Sequence, residues 1–244
     1  YRFEDAKVGN FYTEEAYVLC KQLEFRNMLS RFEKDVTVSN PQTQYFGKVT
    51  EFAEVEELFA QCLTTAGQGA EGCEFGIAVF ADGSGIESCM GAAVAVYKQK
   101  VRFIPCQGLV TPQYLCGQIA KINKNKLCKL SMFDIKKSYG YIENGDSEVI
   151  EQEDVMEPYW AERYFDILLA AYLLNPLKND YAVEDIASEY LGLTIPDKNQ
   201  VCGKAGYGDT YCAKPEEFVE FACYSAYVCL AAAPLLREKL REQG

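Results

Sequence analysis

Phe165-Asp166-Ile167-Leu168-Leu169-Ala170-Ala171-Tyr172-Leu173-Leu174-Asn175-Pro176 is the most informative stretch of this 244-residue sequence. An aspartate followed by an unbroken apolar run is the signature of a helix start. The carboxylate of Asp166 can accept the free N–H groups of the first turn. Pro176 ends the run, because proline offers no N–H and clashes with the preceding turn. Residues 167–175 therefore read as a helix, and its apolar composition on every side predicts that it is buried. Tyr164-Phe165-Asp166 leads into it. Residues 183–191 form a further helix closed by Gly192. Residues 193–213 contain Gly and Pro without any period and read as a long mobile loop. Pro215 opens a last helix that reaches towards Arg241, with a kink expected at Pro234.

Upstream lie three strand candidates in succession, residues 73–81, 88–98 and 100–106. Asp82-Gly83-Ser84-Gly85 separates the first two, and a tight turn near Gln99 separates the others. The first and second strands are almost continuously apolar, as central strands covered on both faces would be. Residues 44–50 look extended, and residues 54–66 form a helix with Val55, Leu58, Phe59 and Cys62 on one face. Thr111-Pro112 is a cap followed by proline at the first helical position. Residues 126–130 make a short strand and 133–139 a short helix, followed by an acidic loop over 143–157. Near the start, residues 13–33 are amphipathic, with Ala16, Leu19, Cys20, Leu23, Met28 and Leu29 at helical spacing. Asn40-Pro41-Gln42 ends that segment. The expected organisation is a helical linker or tail over 1–40 and one domain over 41–244. Its fold class is α/β, with a mixed central sheet flanked by helices. The chain opens at Tyr1, which reads as a fragment of a longer protein.

Composition removes several chemistries. There is no histidine, so Ser-His and Cys-His nucleophile pairs are excluded. The eleven cysteines are odd in number and scattered singly, with no C-x-x-C pair. They read as reduced, mostly buried thiols, which fits a cytoplasmic location. No apolar run approaches the roughly 20 residues of a membrane span. A net charge of −12 argues against strong nucleic-acid binding by this chain alone, since phosphate neutralisation supplies most of such affinity.

The stretch over 165–176, continued by Tyr181-Ala182-Val183-Glu184-Asp185-Ile186-Ala187, resembles the 3′–5′ exonuclease domain of bacterial DNA polymerase I. Further similarity follows in the same order. Residues 49–66 are similar to that domain's first strand and helix, and 90–105 to its second and third core strands. Residues 127–140 and 218–230 resemble its second and third exonuclease motifs, and 20–31 the connector that follows the 5′-nuclease domain. The resemblance implies a ribonuclease H-like fold and a two-metal phosphodiester hydrolysis, with Mg²⁺ or Mn²⁺ ions about 3.5–4 Å apart. It implies four carboxylates and a phenol: an Asp-x-Glu pair on the first core strand, one Asp in the second motif, and a Tyr-x-x-x-Asp in the third.

This sequence departs from that pattern at nearly every position. Gly76 and Ala78 stand where the Asp-x-Glu pair is implied, and residues 75–81 contain no acid. Phe221 and Ser225 stand in the Tyr-x-x-x-Asp positions, and no acid occurs over 221–237. Tyr224 and Tyr227 read as packing residues on an apolar helix. Asp134 is the single implied ligand that matches, although it also sits where a helix cap belongs. Asp82 and Glu87 read as solvated turn residues, Asp146 and Glu148 as exposed loop charge, and Asp5, Glu14, Glu15, Glu56 and Glu57 as solvated charges.

One carboxylate cannot hold two dications. The expectation is therefore a vestigial, inactive exonuclease domain without a metal cofactor. It would act as a structural platform for a polymerase domain of the same chain, in the bacterial cytoplasm, with DNA contacted through the parent enzyme. Two alternatives stand beside it. One is an active exonuclease with a rearranged site built from Asp134, Asp82 or the Asp146/Glu148 pair and using Mg²⁺ or Mn²⁺. The other is an acidic interaction module centred on 143–157.

Overall fold

A computed structural model describes residues 12–23, 25, 28, 40–66, 73–143, 163–178 and 181–243. Two compact units are present, Tyr1–Pro41 and Gln42–Gly244. In the first, α1 spans Glu14–Gln22. Thr13 caps it, its hydroxyl accepting from the Ala16 N–H at 3.3 Å. The expected helix over 13–33 is thus shorter in its described part, and Leu29 lies outside the described residues. Leu19, Leu23 and Met28 are exposed.

The second unit carries β1 (Phe46–Lys48), α2 (Phe52–Ala66), β2 (Cys73–Ala81), β3 (Cys89–Tyr97), β4 (Lys100–Pro105) and α3 (Pro112–Lys124). It continues with β5 (Cys128–Met132), α4 (Ile135–Glu143), β6 (Tyr164–Asp166), α5 (Ile167–Leu174) and α6 (Val183–Leu191). The chain then closes with α7 (Lys198–Val201), α8 (Tyr207–Ala213) and α9 (Pro215–Gln243). The strands form one mixed sheet in the order β1-β4-β3-β2-β5-β6. The β2–β3 and β3–β4 pairs are antiparallel, and β1–β4, β2–β5 and β5–β6 are parallel.

Alternation along β2 divides the core. Phe75 and Ile77 pack with Val55, Leu58 and Phe59 of α2 and Leu115 and Ile119 of α3. Phe80 packs with Phe218, Ala222, Tyr224 and Ala226 of α9 on the opposite face. The fully apolar strands follow from this two-sided cover. Helix α3 starts as its residues dictate, with the Thr111 hydroxyl accepting from the Tyr114 N–H at 3.1 Å and proline at the first position.

Several expectations need correction. Tyr164-Phe165-Asp166 is itself a strand, pairing with β5. Helix α5 is not buried all round: Ile167, Ala170 and Ala171 are buried, while Leu169, Tyr172 and Leu173 are more than half or nearly half exposed, at 55%, 49% and 56%. Residues 193–213 are not a long loop, because α7 and α8 lie within them. Helix α9 reaches past Arg241, as expected, and carries Pro234 within it. It is also long and apolar enough to cross a membrane, yet most of its apolar stretch is buried against the sheet, as a core helix would be.

Candidate active site

The face of β2 turned towards α9 carries Glu74, Gly76, Ala78 and Phe80, spaced by two as a strand requires. Gly76 is pressed onto the backbone of α9. A Cβ added there would lie 2.1 Å from the Ala226 carbonyl oxygen and 2.8 Å from the Leu230 nitrogen. Both obstacles are backbone atoms, so no rotamer change could relieve the overlap. Ala78 packs into the same apolar cluster. The position implied for the first aspartate is therefore filled by helix backbone.

Glu74 lies on this same face and was not among the residues singled out from sequence. Its two carboxylate oxygens accept from Arg237 of α9, at 2.7 Å and 2.6 Å, in a bidentate pair. The Ser131 hydroxyl of β5 donates to it as well. The Arg237 guanidinium in turn sits 4.2 Å over the Phe165 ring. The cation facing this carboxylate is thus a side chain of α9, held in a fixed fork. The two-residue alternation through 74, 76 and 78 was the available signal for Glu74.

Asp134 follows β5 and is the one non-glycine residue among those described with a positive φ, 55°. Its carboxylate accepts from the Lys137 N–H at 3.4 Å and pairs with the Lys137 ammonium at 2.7 Å. It therefore caps α4, the structural role open to it from sequence. Asp166 does more than cap α5. Its carboxylate accepts from Leu168 at 2.9 Å and Leu169 at 3.3 Å, and also from the N–H groups of Asp134 at 3.2 Å and Ile135 at 2.9 Å. One carboxylate thus serves the N-termini of two helices, where orphan donors and helix dipoles both favour negative charge.

In the third motif region, Ser225 is buried and its hydroxyl donates back to the Phe221 carbonyl at 3.0 Å. The Phe221 ring contacts those of Phe80 and Phe218, with centroids 6.0 Å and 6.1 Å away. Tyr224 is fully buried edge-on to Phe46 at 4.8 Å, and Tyr227 packs beside the same ring. Burial raises the pKa of the Tyr227 hydroxyl. These aromatics pack as the apolar helix predicted.

Asp82 is not a freely solvated turn residue. Its carboxylate accepts from the N–H groups of Tyr207 at 2.6 Å and Gly208 at 2.7 Å, so it caps α8 from the far end of β2. Glu87 accepts from the Gln113 side chain. Asp5, Asp146 and Glu148, with nearly all of the acidic segment 143–157, lie outside the described residues. Its first residue, Glu143, accepts from Asn123 and from the Tyr164 hydroxyl, both at 2.8 Å. Glu56 and Glu57 are exposed on α2. Among the described residues, no group of three or more His, Cys, Asp or Glu side chains is placed to hold a metal ion.

No family model and no curated protein matches the chain. Solved structures do resemble it. The catalytic core of RRP6 from Trypanosoma brucei is 12% identical with a TM-score of 0.60, covering 95% of this chain and 60% of that one. The EXO domain of Nibbler from Aedes aegypti is 11% identical with a TM-score of 0.52, covering 82% and 90%. RNase D of Trypanosoma brucei, solved with RNA U12, is 13% identical with a TM-score of 0.53, covering 80% and 64%. At such identities the likeness is one of fold. Together with the mixed six-stranded sheet and its flanking helices, it gives this chain the ribonuclease H-like 3′–5′ exonuclease fold.

Proposed function

We propose that this chain is an exonuclease-fold domain that has lost its two-metal site and serves as a structural platform within a larger enzyme. The observation that carries the proposal is the closure of α9 onto β2 at Gly76, where helix backbone lies within 2.1 Å of a would-be Cβ. Hard divalent ions need several unpaired carboxylate oxygens around a shared cavity. Here Glu74 is taken by Arg237, Asp134 caps α4 and pairs with Lys137, and Asp82 caps α8. The described residues do not fit a pair of Mg²⁺ or Mn²⁺ ions.

The parent enzyme we infer is a bacterial DNA polymerase I, on the resemblance of residues 165–187, with a polymerase domain of the same chain as the partner and the cytoplasm as its location. DNA would be contacted through that parent. The exposed Leu169, Tyr172 and Leu173, with Leu177 at 90% exposure, support a platform role, because an apolar face of this kind calls for a covering partner. The test is release of nucleotides from 3′-labelled single-stranded DNA with Mg²⁺ or Mn²⁺. The proposal predicts no metal-dependent release. Cleavage that disappears on Asp134→Ala would establish the active, rearranged exonuclease instead.

A further inference from the structure

We propose that the free edge of β1 is a docking site for an extended, basic segment of a partner protein, which adds to the sheet as a further strand. The site lies at the opposite margin of the sheet from β6 and does not depend on the proposed loss of metal. Among the described residues β1 pairs with β4 alone, so its other side carries no strand. The Val49 N–H, just past β1, donates to the Phe103 carbonyl of β4 at 2.9 Å. Peptide groups alternate in direction along a strand, so the N–H and C=O groups of Phe46 and Lys48 point the other way, out across the edge. Those four groups are the ladder that an added strand would use.

Room for side chains lies beside this edge. A cavity of about 400 Å³ is lined by Phe46, Gly47 and Lys48 of β1 and by Glu216, Val219 and Glu220 of α9. Phe46 and Lys48 both turn towards the helical side of the sheet. The Phe46 ring meets Tyr224 edge-on at 4.8 Å, and the Lys48 ammonium lies 5.9 Å from the Tyr211 ring centroid. Side chains directly opposite one another on paired strands share a face. Every second side chain of an added segment would therefore point at the first turns of α9.

Charge decides which side chains fit there. Glu216 is exposed and Glu220 half-buried, one helical turn apart on α9. Lys214 holds the intervening Glu217 at 2.8 Å, whereas neither Glu216 nor Glu220 has an ion-pair partner among the described residues. Burial, and then the charge of Glu217, raise the pKa of Glu220, as befits a carboxylate short of a counterion. Val219 adds apolar surface beside Phe46. The matching segment carries a lysine or arginine and, two residues away, an apolar side chain. A small amine would satisfy the carboxylates yet leave the four strand groups unmet, and a phosphate backbone would be repelled. An extended basic peptide satisfies both.

The probe is a fluorescent peptide, Thr-Lys-Thr-Val-Thr-Lys-Thr, titrated into the whole chain and read by anisotropy, with amide hydrogen exchange followed at saturation. The expected result is saturable binding with exchange slowed at the Phe46 and Lys48 amides. The same peptide N-methylated along its backbone should bind far more weakly, because it cannot donate to the edge. A Glu216→Lys/Glu220→Lys variant should bind the probe roughly tenfold more weakly. That variant should also take up a counterpart peptide with glutamate in place of lysine, a gain that misfolding would not give. No saturable binding, equal binding of the N-methylated peptide, or unchanged exchange at Phe46 and Lys48 overturns the proposal.

Discussion

Gly76 shows how a single residue can decide what a cleft is able to do. With no side chain, β2 and α9 approach until strand Cα and helix carbonyl are in contact, and any Cβ collides with backbone. We predict that Gly76→Ala lowers unfolding free energy by about 1–3 kcal/mol, the usual range for overpacking a well-packed core. Gly76→Asp should cost more, because it adds a buried charge. Urea denaturation of the two variants checks both, and an unchanged midpoint for Gly76→Asp would mean that α9 can lift away. Asp166 offers the opposite case, a carboxylate whose four N–H partners span two helices. Asp166→Ala should destabilise by about 2–3 kcal/mol, roughly two caps' worth, and Asp134→Ala by about 1 kcal/mol or less. Equal midpoints for these variants would contradict the double-cap role. The α5 half of that role was legible in the sequence, as an aspartate before an apolar run. The contacts to Asp134 and Ile135 were not, since they join residues about thirty positions apart.

The same distinction holds for whole elements. The three long strands and helices α2, α3 and α6 carry their own periodicity, caps and stops, and the chain could be read directly there. Residues 193–213 were misread for two different physical reasons. Helix α7 has a local signal, the Asp197/Gln200 capping box, in which Asp197 accepts from the Gln200 N–H at 2.7 Å and Gln200 accepts from the Asp197 N–H at 3.2 Å. Helix α8 has none, because its cap is Asp82, some 125 positions away in sequence. Its other support is aromatic, with Tyr207 edge-on to Phe80 at 5.3 Å and Tyr211 against Phe103 at 5.5 Å. Asp82→Ala should therefore speed amide hydrogen exchange at residues 207–213 while costing the whole domain only about 1 kcal/mol. Exchange unchanged in α8 would show that the aromatic contacts alone hold it. Helix α5 illustrates a further limit of reading one chain: its apolar run predicted burial, and part of that run faces outward.

At the scale of the molecule, the fold and the absence of an acidic metal cluster among the described residues are two aspects of the same packing. The two-sided sheet is kept by apolar residues that need no chemistry, while small residues at 76 and 78 let α9 close the space between them. The sequence reading placed Gly76, Ala78, Phe221 and Ser225 as departures from the implied ligand pattern, but the closing of the cleft and the Glu74–Arg237 pair became visible only in three dimensions. A chain of net charge −12 still attracts divalent ions weakly at its surface, so saturable binding at one place is what has to be measured. Electron paramagnetic resonance of Mn²⁺ titrated into the protein reads this most directly. The account predicts that the six-line signal of free Mn²⁺ rises in proportion to added metal through the millimolar range, identically in the native chain and in Asp134→Ala. A saturable loss of that signal at two ions per chain, abolished by Asp134→Ala, would contradict it.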